Sequence, residues 1–120
     1  MKIFSFEKLN VWQKSKTLSV DIYKITSKFP DEERFGLISQ MRRCSISVSS
    51  NIAEGTGRNS PKDKARFTEI SFASLMELLN QLIISFELNF IAKDQYELLR
   101  KEIEDISRML NALRKTQLNI

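Results

Sequence analysis

The sequence predicts an all-α fold, four helices in an up-down-up-down bundle, and three observations predict it. Apolar residues recur at alternating spacings of three and four along four successive stretches, which places them on one face of a helix. Glycine occurs three times and proline twice in 120 residues, too few tight-turn residues for an all-β chain. Helix-stop and helix-start residues, such as Pro30, the Gly55 and Gly57 pair and Ser60-Pro61, fall between those stretches. The length suits one domain over residues 1–120, and 42% hydrophobic residues supply its core.

The first helix is expected from about Asn10 to Lys28, with Val11, Leu18, Ile22, Ile25 and Phe29 on its inner stripe and Ser15 filling one place. Pro30 stops it, and Asp31, Glu32 and Glu33 supply acids favoured at the next helix start. The second helix is expected from Arg34 to Ala53, burying Leu37, Ile38, Met41, Cys44 or Ser45, Val48 and Ile52. Gly55 and Gly57 fit its stop, because glycine accepts the left-handed conformation common there. The third helix begins at Ser60-Pro61, a good N-cap and first position, with Asp63 as the capping-box acid, and continues to about Phe90. The fourth starts at Asp94 with Glu97 as a second capping box. Its stripe is Tyr96, Leu99, Ile103, Ile106, Leu110 and Leu113, and its outer face offers Glu97–Lys101 and Glu104–Arg108 pairs.

Two stretches need more than this pattern. In "SISVSSNIAEGTG" serines replace good helix formers. Small side chains let backbones approach, and serine hydroxyls can bond a carbonyl one turn back. Ser45 and Ser49 are therefore expected at a tight helix contact; the alternative is a solvated hydroxyl-rich face. The third helix is over-supplied with apolar residues, 14 of 22 from Ile70 to Ile91. One stripe is Phe67, Ile70, Ser74, Leu78, Gln81, Ser85 and Leu88; a second runs through Phe72, Leu75, Leu79, Ile83, Phe86 and Phe90. A bundle helix buries one broad face, so Phe72, Leu75, Leu79, Ile83 and Phe86 become candidates for a homo-oligomer interface. The alternative is a central helix in a monomer. The segment is long enough to span a membrane, but Glu77, Asn80, Gln81, Glu87 and Asn89 would be costly in lipid, so no membrane is expected.

Composition excludes much chemistry. The chain has no histidine, which removes the commonest general base, the Ser-His and Cys-His pairs and most zinc sites. Cys44 is the sole cysteine, so no intramolecular disulfide forms, and a reducing, cytoplasmic setting is expected. The N-terminus lacks the long apolar run of a signal peptide. Glu54 and Glu77 sit at different depths of their helices and are expected to pair with Arg42 or Arg43 rather than to act as paired carboxylates. No catalytic residue, cofactor or metal is assigned.

The formal net charge is +4 and it is unevenly spread. Residues 1–18, 50–70 and 106–120 share one end of an up-down bundle, with eleven basic and four acidic side chains; the rest holds eight and eleven. Arg58, Lys62, Lys64, Arg66, Arg114 and Lys115 are therefore candidate contacts to RNA or DNA phosphates, electrostatic and salt-sensitive. The alternative is ordinary solubility charge. Trp12 and Tyr23 read as packing residues rather than stacking platforms for bases.

"FEKLNVWQKS", the "FP" before helix two, "LISQMRRCSISVSSNIAEGTGR" and "ASLMELLNQL" together resemble the four helix bundle protein family, also called 23S rRNA-intervening sequence proteins. Asn51-Ile52-Ala53-Glu54-Gly55 is the most specific part, and Ser45, Asn51, Glu54, Gly55, Arg58 and Glu77 match the family pattern. Ala73-Ser74 stands where many members have Gly-Ser. The resemblance implies a left-handed up-down bundle that assembles into closed rings, typically pentamers, without enzymatic activity. Some members are encoded within insertions in bacterial ribosomal RNA genes. A related branch is the accessory protein of diversity-generating retroelements, a basic barrel that binds nucleic acid and a reverse transcriptase. The expectation is a homopentamer that binds nucleic acid through its basic end, with Ser45, Ser49, Asn51, Glu54 and Gly55 as its helix-packing motif. The alternative is a protein-interaction scaffold or an accessory factor for an enzyme such as a reverse transcriptase.

Overall fold

Four stretches of 3.6-residue apolar periodicity give four helices: α1 (Asn10–Thr26), α2 (Ser39–Thr56), α3 (Pro61–Glu87) and α4 (Lys93–Leu118). The structure, a computed structural model, describes residues 1–120 and contains no strand.

α1 buries Val11, Ser15, Leu18, Ile22 and Ile25, the expected stripe. It stops short of Lys28, because Lys28 and Phe29 donate to the carbonyls of Ile25 and Thr26 in tightened turns that carry Phe29 into the core. Asp31–Glu33 then form a single 3₁₀ turn and Arg34–Ile38 a wider one. Gly36 (φ −107°, ψ −113°) leaves the helical range, so regular α2 begins only at Ser39 rather than Arg34.

α2 buries Met41, Cys44, Ser45, Val48, Ile52 and Gly55. The helix stops as expected at Gly57, its C-cap, but neither Gly55 nor Gly57 adopts a positive φ, which corrects the expected left-handed conformation. Gly55 lies inside the helix and its missing side chain serves packing instead. At the start of α3 the Ser60 hydroxyl accepts the Asp63 amide at 3.1 Å, the expected N-cap. The end of α3 is set by Asn89 (φ 64°): the amides of Phe90 and Asn89 donate to Ser85 O and Phe86 O, both at 2.9 Å, the paired bonds of a Schellman stop.

Neither expected capping box closes: the Asp63 carboxylate makes no bond back to Ser60, and at α4 the cap itself is missing. α4 follows Ala92 without a side-chain cap, and Asp94 accepts from its neighbour Gln95. Its surface pairs also differ from expectation: Lys93–Glu97, Arg100–Glu104 and Lys101–Asp105 lie at 4.0, 3.8 and 3.7 Å. Asp105, flanked one turn away by Lys101 and Arg108, draws both of them.

Helix neighbours are read from side-chain contacts. Along α2 and α3, Met41 meets Ser85, Cys44 meets Gln81, Ser47 meets Ser74 and Val48 meets Ser71, so these helices run antiparallel. Thr68–Gln117 at 2.7 Å and the Phe86–Tyr96 stack at 4.3 Å set the same relation for α3 and α4. Ser19 donates to Ser45 O and Arg42 to Thr26 Oγ1 across α1 and α2. Between α1 and α4 one long ion pair, Lys14–Glu102 at 3.9 Å, spans a seam with open grooves.

One core cluster draws on all four helices, including the fully buried Leu18, Met41, Leu75, Leu82 and Ile106. Each such side chain contributes about 1.5–3 kcal/mol relative to exposure. This corrects one member of the second stripe on α3. Leu75 is 0% exposed and belongs to the core of its own chain. Phe72, Leu79, Ile83 and Phe86 are half-buried; Phe86 stacks on Tyr96 of α4, and Phe72 lines a groove with Leu110 and Arg114. Phe86 and Phe72 thus lie against α4, while Ile70 and Ile84 of the same helix and Leu88 at its C-cap stay exposed. By length and composition alone α3 could cross a membrane, but it carries nine buried core positions on faces turned to α2 and α4.

Candidate nucleic-acid interface

The α2–α3 turn stands at the end that carries the basic residues. Its geometry begins with Gly55. A Cβ added there would lie 3.0 Å from Phe67 Cβ and 3.3 Å from Lys64 O, so only glycine lets the first turns of α3 lie this close to the last turn of α2. Phe67 is pressed beneath that turn and is 7% exposed. The guanidinium of Arg58 lies 4.6 Å from its ring centroid and that of Arg66 lies 5.0 Å away. Cation–π attraction holds both charges beside one ring, and Arg58 also donates to Glu54 Oε1 at 3.3 Å.

The six cations singled out from the sequence are therefore not equivalent. Arg58 and Arg66 form one cluster on Phe67. Lys62 is exposed and Lys64 half-buried on the first turn of α3. Arg114 donates to Glu69 Oε2 at 2.6 Å across the α3–α4 seam, so its charge is partly answered. Lys115 is exposed beside it and makes no ion pair. Thr68–Gln117 ties the end of α4 to the start of α3, which brings these groups to one end. At that end, Lys16 lies 5.2 Å over the Trp12 ring, whose edge meets Phe6 at 5.0 Å. Arg58 spends part of its N–H edge on Glu54, as Arg114 does on Glu69, whereas Arg66 makes no ion pair and has its guanidinium available to match a phosphate in bidentate fashion.

The role of Phe67 was hidden in the sequence, where it counts as one more apolar residue. The Lys16–Trp12 pairing has a signal, the i, i+4 spacing.

The serine motif is only partly as expected. Ser45 is fully buried; its hydroxyl bonds Arg42 O at 2.9 Å and its carbonyl receives Ser19. Ser49 is half-buried and bonds only Ile46 O. The hydroxyl that crosses to α3 is that of Ser47, 2.8 Å from Ser74 Oγ. Asn51 bonds Ser47 rather than another helix.

Glu54 and Glu77 do not pair with Arg42 or Arg43. Arg42 donates to Thr26 Oγ1 at 3.0 Å and lies over the half-exposed Tyr23 ring, so Tyr23 is a surface platform rather than a core residue. Arg43 bonds Gln40. Gln40, Arg43, Cys44, Ser47, Ser74 and Glu77 line a polar groove of about 360 Å³. Burial, and next the Glu77 carboxylate, push the Cys44 thiol up to about 11, so it stays protonated at neutral pH and is a poor nucleophile. Nowhere do three carboxylate, thiol or imidazole groups converge as metal ligands would.

The family model of the 23S rRNA-intervening sequence protein matches residues 7–112. Among solved structures, the chain is similar to a protein of unknown function from the S23 ribosomal protein family of Bacteroides thetaiotaomicron VPI-5482. The two share 24% identity and a TM-score of 0.79, over 88% of this chain and 98% of that one, a likeness of fold. No curated protein matches the chain.

Proposed function

Since the chain belongs to the 23S rRNA-intervening sequence protein family, we propose that it is a non-enzymatic nucleic-acid-binding protein of the cytoplasm. Its bundle is up-down-up-down and left-handed, and copies close into a ring, a homopentamer. The observation that carries the binding reading is the Phe67 cluster, where Arg58 and Arg66 are held on one ring amid further lysines. A ring repeats that cluster around one rim. Such a rim attracts phosphates without reading bases.

A gel-shift titration with generic RNA and duplex DNA at low salt tests this. Binding is weakly sequence-specific and falls by orders of magnitude toward moderate salt. Changing Arg58, Lys62, Lys64 and Arg66 to Glu abolishes it. Changing only Lys62 and Lys115, which touch no ring or acid, weakens it and lowers the salt slope while leaving Phe67 covered. Absence of binding by the unaltered protein transfers the role to protein contacts, those of a scaffold or an accessory factor for a nucleic-acid-processing enzyme such as a reverse transcriptase.

A further inference from the structure

Away from the chain termini, the two most exposed large apolar side chains are Phe35, at 88%, and Leu98, at 68%. Both lie at the end opposite the basic cluster, Phe35 in the α1–α2 connection and Leu98 near the start of α4. Their settings differ in kind. Leu98 forms the wall of a groove of about 370 Å³ between α1 and α4, with Ile25 and Leu99 as the rest of its apolar lining, Asp21, Lys24 and Lys28 on its α1 side and Gln95 on its α4 side. Phe35 is a protrusion. It follows Asp31, Glu32 and Glu33, and the turn behind it is fixed by the Leu37 amide, which donates to Glu33 Oε1 at 3.4 Å.

The charges also differ in kind. Asp31 and Glu32 make no ion pair within the chain, and neither do Lys24 and Lys28. The knob's run from Asp31 to Arg34 holds three acids and one arginine, net −2; the groove's lining sets Lys24 and Lys28 against Asp21, net +1, around three apolar side chains. A phenylalanine side chain brings about 150–250 Å² to a contact when buried, and flanking opposite charges set its register.

We infer that Phe35 of one copy seats in the α1–α4 groove of the next, its ring on Leu98, Ile25 and Leu99, with Asp31 and Glu32 facing Lys24 and Lys28. The occupant is a second copy because the chain carries both halves, a protruding ring and a groove with apolar lining, of opposite net charge. Knob and groove are different surfaces at the same end of the bundle. The contact is therefore head-to-tail, and it repeats around a ring, or along a filament if the rotation does not close. This inference rests on the homo-oligomer reading above and gives it a specific seam.

The test is a light-scattering mass for the unaltered protein, for Phe35→Glu, for Leu98→Glu and for the two variants mixed. Both positions are exposed, so helicity by circular dichroism stays unchanged; if it does not, Phe35→Ser and Leu98→Ser replace them. Each variant alone is expected at the mass of one subunit. The mixture is expected to recover twice that mass, because the Phe35 variant keeps its groove and the Leu98 variant keeps its knob. A single-subunit mass for the unaltered protein overturns the homo-oligomer reading and this seam with it. An oligomer whose mass survives both substitutions overturns the seam and leaves oligomerisation standing. Monomeric variants that do not recombine also overturn it.

Discussion

At the scale of single residues, the contacts of α2 with α1 and α3 are decided by a few polar atoms. Ser45 has no free volume around it, since its side chain is fully buried and its carbonyl is taken by Ser19. Ser45→Leu is expected to overpack the contact and cost about 1–3 kcal/mol, whereas Ser49→Leu, on a half-buried position, costs less than about 1 kcal/mol. Urea denaturation compares them; equal costs would remove the distinction between the two serines. Gln81 presents a different case. Its side chain is 8% exposed, and its Oε1 is the one buried side-chain polar atom without a partner. Gln81→Met keeps the volume, removes the orphan and gives up only a weak bond to Cys44 Sγ, so thermal stability is expected to hold or rise by up to about 1 kcal/mol. A clear fall would mean that the amide bonds something essential. Cys44 sets an alkaline limit. Its thiol holds a proton in the folded state up to about 11, against 9.0 ordinarily, so its contribution is complete below 9.0 and is lost as pH climbs through 11. Cys44→Ala is expected to flatten that part of the stability–pH curve relative to the unaltered chain.

At the scale of elements, helix α2 owes its place to one missing methyl group. Gly55→Ala gains roughly 1 kcal/mol of helix propensity. It also sets a new Cβ 3.0 Å from Phe67 Cβ and against the Lys64 carbonyl, neither of which is a flexible chain end. The packing cost is expected to win, leaving the variant less stable by about 1 kcal/mol or more, with Arg58 and Arg66 less firmly held; a stabilised variant would show that α3 shifts freely. This residue also marks what the sequence could and could not reveal. The inward stripes of α1 and α4 were legible because a 3.6-residue period is carried by the residues themselves. Ser60-Pro61 was legible because a cap is local chemistry. The late start of α2 depends on the turn at Gly36, and the close of α3 at Glu87, three residues before the expected Phe90, on a left-handed Asn89. Gly55 looked like punctuation because its real neighbour, Phe67, is twelve positions away. The candidate cations were legible as a set. Their grouping was not, because it depends on that same contact and on Glu54 and Glu69, each of which had several cations within reach.

At the scale of the whole molecule, the four seams are unequal. α2–α3 is crossed by four hydrogen bonds along its length, and α3–α4 by two at one end and the Phe86–Tyr96 stack at the other, although each seam also carries a groove. α1–α4 has one exposed ion pair at 3.9 Å, of a kind worth about 0–1 kcal/mol, and two open grooves. Local opening follows the weakest seam. In an isolated subunit, amides of α1 are expected to exchange with solvent faster than those in the middle of α2 and α3; uniform protection would show that the seam is closed by something else. Occupation of the groove by a neighbour would slow α1 selectively.

The chain has a single tryptophan, and it stands at the basic end, with the Lys16 ammonium over its face and Phe6 against its edge. An indole reports changes in the charge above it. A phosphate that draws Lys16 away alters the field on that one ring, while events at the Phe35 end, the length of a helix away, leave it silent. Trp12 is thus a built-in optical reporter: its emission follows polyanion docking without any label and separates that event from assembly of the subunits.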